Sequence, residues 1–195
     1  MAVQNVGNLL MGPATIYAGA TGVITAPPAD AAVNSTPAAS AWTDLGAPNG
    51  GVSWTVTPKF SPLVCDAVVD NIDDRLTSRD TMITLTLAEM TLANLALSLN
   101  TTVGATGANY ATLEQNYGQY ASQTLKTSFV VDGFAPLGTG APANSRRRLY
   151  VARAQQTGKV EWLNAKDKQQ GILLTLKCYY VSTTVAPVHI TDQTA

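Results

Sequence analysis

A mainly β fold is predicted, a β-sandwich or open barrel with one flanking α-helix and long loops or terminal arms, and three observations predict it. Apolar and polar residues alternate with period two in several separate stretches. Only one segment has helical spacing, and Gly- and Pro-rich stretches punctuate the chain between the runs. The 195 residues suffice for a core that needs no metal or disulfide. No linker divides the chain into balanced halves, so residues 1–195 are expected to form one domain.

Ala14 to Tyr17 reads as a short first strand. From Ala18 to Pro48 the composition shifts to Ala, Pro, Gly, Ser and Thr, with Pro27-Pro28 inside, which disfavours helix and central strand alike. Residues 18–48 are therefore expected to be a long surface loop or arm that cannot bury itself and contacts a neighbouring subunit. Val52, Trp54 and Val56 alternate with Ser53, Thr55 and Thr57, a half-buried strand with Trp54 on its core face. Lys59 to Val69 continues extended, and Pro62 places it at an edge or a bulge. Ile83, Leu85 and Leu87 mark another strand. Ala88, Leu92, Leu95, Ala96 and Leu99 then recur at helical spacing, with Glu89 suited to the helix N-terminus. Leu125 to Val131 alternates again and stops at Asp132-Gly133. Leu149 to Ala154 and Lys159 to Leu163 read as two strands across a turn. Ile172, Leu174, Leu176, Cys178 and Tyr180 form the strongest strand, expected to lie between two layers because both its faces are partly apolar. Residues 182–195 are polar and read as an extended C-terminal arm.

Only 13% of residues are charged and the net charge is −1, against a usual charged share of roughly 25%. Apolar residues make up 46%. Such a weakly charged surface suits a chain that ends up against other subunits. No segment approaches the roughly 18 apolar residues of a membrane span, so no membrane insertion is expected. The N-terminus lacks a signal-peptide pattern. Cys65 and Cys178 match no zinc or redox spacing and are expected to be reduced, buried thiols in a chain made in a cytosol.

No residue pattern asks for a catalyst, a cofactor or a metal. His189 is the only histidine, and no nucleophile elbow accompanies it. Asp66, Asp70, Asp73 and Asp74 form an acidic cluster, but Asp73 and Asp74 are adjacent and would point oppositely on a strand. The cluster reads as a solvated or pore-facing rim, or as an interface element. Gly138 to Ala143 mimics a dinucleotide loop, yet Pro142 and the run Arg146-Arg147-Arg148 lead into a strand and not into a phosphate-holding helix. The three arginines are expected to form a solvated loop base or to pair with aspartates of a neighbouring subunit. Trp42, Trp54 and Trp162 could form a sugar platform, although Trp54 reads as core.

Three stretches carry a resemblance. They are Asn5 to Leu10 running on to Pro13-Ala14-Thr15-Ile16-Tyr17; Trp42 to Gly46 followed by Gly50-Gly51-Val52; and Asp70, Arg79 and the phrase Thr84-Leu85-Thr86-Leu87-Ala88-Glu89-Met90-Thr91-Leu92-Ala93-Asn94-Leu95. Together they resemble the tail tube proteins of long-tailed bacteriophages (siphophages). The resemblance implies a β-sandwich with a flanking helix that closes into rings, usually hexameric, and stacks into the hollow tail of a virion. It also implies a tape-measure protein and other tail proteins as partners, and transient, non-specific passage of DNA down the tube. A near-neutral subunit fits a conduit, because each phosphate gripped by Lys or Arg would have to be released as DNA slides. The alternative is a β-sandwich binding module, such as a capsid-decorating or lectin-like protein; a weaker third is a hydrolase using the aspartates.

Overall fold

The computed structural model describes residues 13–65, 68–135, 145–161 and 170–193. Its elements, in chain order, are β1 (Thr15–Ala18), β2 (Thr43–Asp44), β3 (Pro48–Cys65), β4 (Val68–Leu87), α1 (Leu92–Ser98), β5 (Val103–Thr106), β6 (Ala111–Leu113), β7 (Thr127–Phe134), β8 (Arg146–Gln156), β9 (Ile172–Cys178) and β10 (Val188–Asp192). Eight strands form one sheet in the order β2-β1-β7-β8-β9-β4-β3, with β10 also paired to β8, and β5 and β6 form a separate hairpin. Every pairing in the large sheet is antiparallel. The fold is thus mainly β, and its large sheet stays open, ending at β2 and β3.

Period-two alternation explains the core. Ile83, Leu85 and Leu87 of β4 meet Ile172, Leu174 and Leu176 of β9 on one face, together with Phe129 and Val131 of β7, Leu149 and Val151 of β8, and Leu97 of α1. The opposite face of β7 and β8 carries Val130, Tyr150 and Ala152, which pack with Tyr17 and Trp42. These two strands are therefore covered on both sides. β9 is not: Leu173, on its other face, is exposed. The expectation of two covering layers at this strand is corrected, because the second layer extends only over β1, β7 and β8.

Residues 18–48 supply that layer. Trp42 is buried edge-on against Tyr150, with ring centroids 6.1 Å apart. Tyr150 Oη donates to the carbonyl of Thr25 at 2.8 Å, and the Thr25 N–H donates to Ser128 Oγ at 2.9 Å. The expectation that this segment cannot bury itself is corrected in part, because it docks on its own sheet. Its Val33, Trp42 and Leu45 side chains are buried while Val23 and Ile24 stay exposed, and side chains of the sheet bind its backbone polar groups. The C-terminal arm is also corrected. Residues 188–192 form β10, in register with β8 from Val188 opposite Val151 to Asp192 opposite Arg147.

The helix is shorter than its periodicity predicts. Thr91 caps it by accepting from the Asn94 N–H, and Asn94 Nδ2 donates to the carbonyls of Leu45 and Glu89. Those bonds hold residues 88–90 outside the helix, so Glu89 precedes its first turn. Of the strand expected over Lys159–Leu163, residues 159–161 are irregular and the remainder lies outside the described residues. So do Asn5 to Leu10, Asp66, Gly138 to Ala143 and Trp162.

Where β3 enters the sheet, Asn49 pairs with Thr86 and Val52 with Leu85, leaving Gly50 and Gly51 as a bulge. Both have positive φ, 84° and 87°, and both face open space. Backbone conformation, not crowding, demands glycine here. Gly50→Ala and Gly51→Ala are each expected to lower stability by about 1–2 kcal/mol, measured by urea unfolding. Unchanged midpoints would show that the bulge relaxes without strain.

Candidate assembly surface

The surface is built from the far parts of β3 and β4. β9 pairs with β4 only from Met82 to Leu87, whereas β3 and β4 remain paired out to Cys65 opposite Val68. A two-stranded ribbon therefore projects from the body. On β3 the projecting part, residues 56–65, extends roughly 33 Å at about 3.3 Å per residue. Among the described residues β3 pairs only with β4, which is why it tolerates Pro58 and Pro62, whose missing N–H groups would break a central ladder. A second bulge falls between Lys59 and Phe60, opposite Ser78 and Leu76.

Cross-strand register sorts the ribbon into two faces. Trp54 lies opposite Ile83, Val56 opposite Thr81, Pro58 opposite Arg79, Phe60 opposite Leu76 and Pro62 opposite Asp74. Alternation puts all of these, with Ile72, on the side that faces the core further down β4. There the apolar residues have no cover: Trp54 is 45% exposed, Phe60 57% and Ile72 60%. The expectation that Trp54 is core is corrected: its partner Ile83 is buried and pairs with Leu176 of β9, but Trp54 itself lies on the outermost strand, β3, where the covering layer has stopped. The other face is polar apart from the exposed Leu63, and Asp80 there binds Lys177 of β9 at 2.9 Å and Lys59 at 3.6 Å. The hydrogen bond and charge of Lys177 hold the Asp80 carboxyl below its ordinary range. This contact ties the ribbon's base to the body.

Of the acidic cluster, Asp70, Asp73 and Asp74 lie exposed on the outer part of β4. These three residues lie within a continuous strand of the β3–β4 hairpin. Asp73 Oδ1 accepts from the Asp74 N–H at 2.7 Å, and the two side chains point to opposite faces. They cannot converge on one ion. Among the described residues no group of three or more His, Cys, Asp or Glu side chains is placed to hold a metal.

The three arginines separate. Arg148 is buried and forms a two-pronged pair with Asp132, both N–O distances being 2.7 Å. It also donates to the carbonyls of Ala32 and Ser35. Arg147 forms an equivalent fork with Asp192 at 2.6 and 2.7 Å. The expected pairing with a neighbouring subunit's aspartates is thus corrected for these two, whose partners lie in the same chain because β7 and β10 flank β8. Arg146 uses its backbone, accepting from the Gln193 N–H. The signal was legible in principle: consecutive residues on a strand face opposite ways, so a run of three arginines cannot act as one patch.

His189 Nε2 lies 3.0 Å from Asp30 Oδ1, which also accepts from Thr191 Oγ1 at 2.7 Å. This surface contact links the 18–48 segment to β10. The hydrogen bonds from Thr191 and His189 lower the Asp30 pKa, and the Arg147 hydrogen bond lowers that of Asp192. Groups with depressed pKa values stabilise fully above the ordinary aspartate value of about 3.9, and lose that contribution as pH falls through the folded value. Hydrogen exchange at residues 188–192 is expected to quicken below about pH 4 before the core strands respond. Simultaneous exchange throughout would show that these contacts do not hold β10.

Cys178 is a free, partly buried thiol beside the core, and burial pushes its pKa up to about 11. Little thiolate forms near neutrality, so native protein is expected to react with a thiol reagent at least ten-fold more slowly than unfolded protein. Equal rates would contradict this placement. The side chain of Cys65 is not among those described.

No protein-family model matches this chain, and no curated protein matches it.

Proposed function

We propose that this chain is a structural subunit of a virion, the tail tube protein of a long-tailed bacteriophage, which assembles with copies of itself into stacked rings. The single observation that carries the reading is the ribbon. A lone two-stranded hairpin is marginal in water, and one with an apolar face and open edges is a template for association. Monomeric proteins shorten, charge or cover such edges; this chain has an edge strand of 18 residues. The low overall charge and the resemblance in the phrase Thr84 to Leu95 support the same reading. In it, the rings enclose a lumen that holds a tape-measure protein and later passes DNA.

Negative-stain imaging and light scattering of the purified chain across a concentration series test the proposal. Rings or hollow tubes above a threshold concentration are the expected result. A discrete monomer at every concentration, within the virion as well as free, would overturn it and favour a decorating or lectin-like module.

A further inference from the structure

The ribbon has an uncovered apolar far end, and a groove lies open at its base. Trp54, Val56, Arg79, Tyr180, Val188 and Ile190 line a hollow of about 680 Å³ between the ribbon and β10. A second hollow, of about 330 Å³, continues from Trp54 and Ile190 to Val131, Phe134 and Leu149. Trp54, Tyr180 and Ile190 are all exposed. The ribbon cannot fill its own groove. Phe60, Ile72 and Leu76 lie further out on an extended strand pair, and folding back would break the β3–β4 register.

We infer that the far end of the ribbon of one copy seats in the Trp54–Ile190 groove of a second copy, with Asp74 of the first facing Arg79 of the second. This rests on the assembly reading and specifies its contact. Charge selects the occupant. Asp74 shares the apolar face with Phe60 and Leu76, because Pro62 and Phe60 are its face neighbours on β3. Arg79 lines the groove and forms no ion pair among the described residues. Arg147, which lines the second hollow, is already neutralised by Asp192. The contact joins two different surfaces, so every copy keeps one of each free and the association propagates.

Size gives the contact its character. One ribbon face of roughly 33 Å by 10 Å offers about 330 Å², about two-fifths of the roughly 800 Å² per partner of a standard stable interface. One such contact holds weakly. Several made at once between rings reinforce one another through effective concentration, so assembly sets in sharply with concentration.

The test uses two blocked forms of the full chain. Phe60→Asp with Leu76→Asp removes the ribbon end, and Tyr180→Asp with Ile190→Asp removes the groove. All four positions are exposed, and thermal unfolding checks that each form is folded. Neither form alone should make filaments. Mixed in equal amounts, they should form a terminated complex of two copies or two rings, since one intact ribbon meets one intact groove. Independently of those forms, Asp74→Arg and Arg79→Asp should each raise the assembly threshold about two- to five-fold, and the combined exchange should restore it. A groove-blocked form that assembles at the wild-type threshold, or a mixture that never associates, overturns the inference and leaves the assembly reading intact. A wild-type chain that never assembles overturns both.

Discussion

Arg148→Ala is expected to cost about 3–5 kcal/mol of folding stability, because it strands the buried carboxylate of Asp132 in the middle of β7. Against a total of about 5–15 kcal/mol for a domain, that can leave the chain largely unfolded at 37 °C. The guanidinium also holds the carbonyls of Ala32 and Ser35, so residues 25–37 should become protease-sensitive at temperatures where the sheet persists. Arg148→Met combined with Asp132→Leu removes both charges and should recover most of the loss, since well-packed apolar pairs can replace buried ion pairs. Urea unfolding of the three proteins decides the matter. A single-alanine cost below about 1 kcal/mol would mean that water reaches Asp132 and the pair is not sealed.

Excising the ribbon should have the opposite signature. Thr55 pairs with Met82, so replacing residues 56–81 by Asn-Gly closes a short hairpin with a favoured two-residue turn. None of the removed residues belongs to the buried core cluster. The shortened chain is expected to fold with a melting temperature within a few degrees of the full chain. It should remain monomeric at concentrations on the order of 100-fold above the normal assembly threshold, a loss consistent with removing an apolar contact of several kcal/mol. Sedimentation and imaging check both halves of the expectation. Tubes of normal length from the shortened chain would remove the ribbon from the assembly mechanism.

These two positions also show what alternation reveals and what it hides. The strands containing Ile83–Leu87, Phe129–Val131 and Ile172–Leu176 are legible because a buried face imposes period two. Val52, Trp54 and Val56 have the same pattern, but the pattern does not record where the covering layer stops. Length held the missing clue. A run extended from Val52 to Val69 is far longer than the usual five or six residues, and the prolines within it mark an edge. Arg148 was hidden by its neighbours, since three arginines read as a charge run until strand geometry separates them. The 18–48 segment was hidden by composition: its Ala, Pro and Gly content forbids long elements, yet one tryptophan and a few backbone hydrogen bonds suffice to dock it. β10 is legible only faintly, in Val188-His189-Ile190, because its outer face is exposed and its run is short.

The division between a sealed body and an unsupported ribbon determines what kind of selection each part can feel. Substitutions at Phe60, Ile72 or Leu76 leave the core untouched, so a library sorted by thermal melting would let those positions drift without penalty. A screen for yield would go further and favour polar replacements there, since they make the free chain easier to keep dispersed. Variants recovered from either screen would be better behaved in the tube of the experimenter and useless in the tail of the virion under the reading proposed above. Only a selection that scores the assembled particle sees both parts of the chain at once.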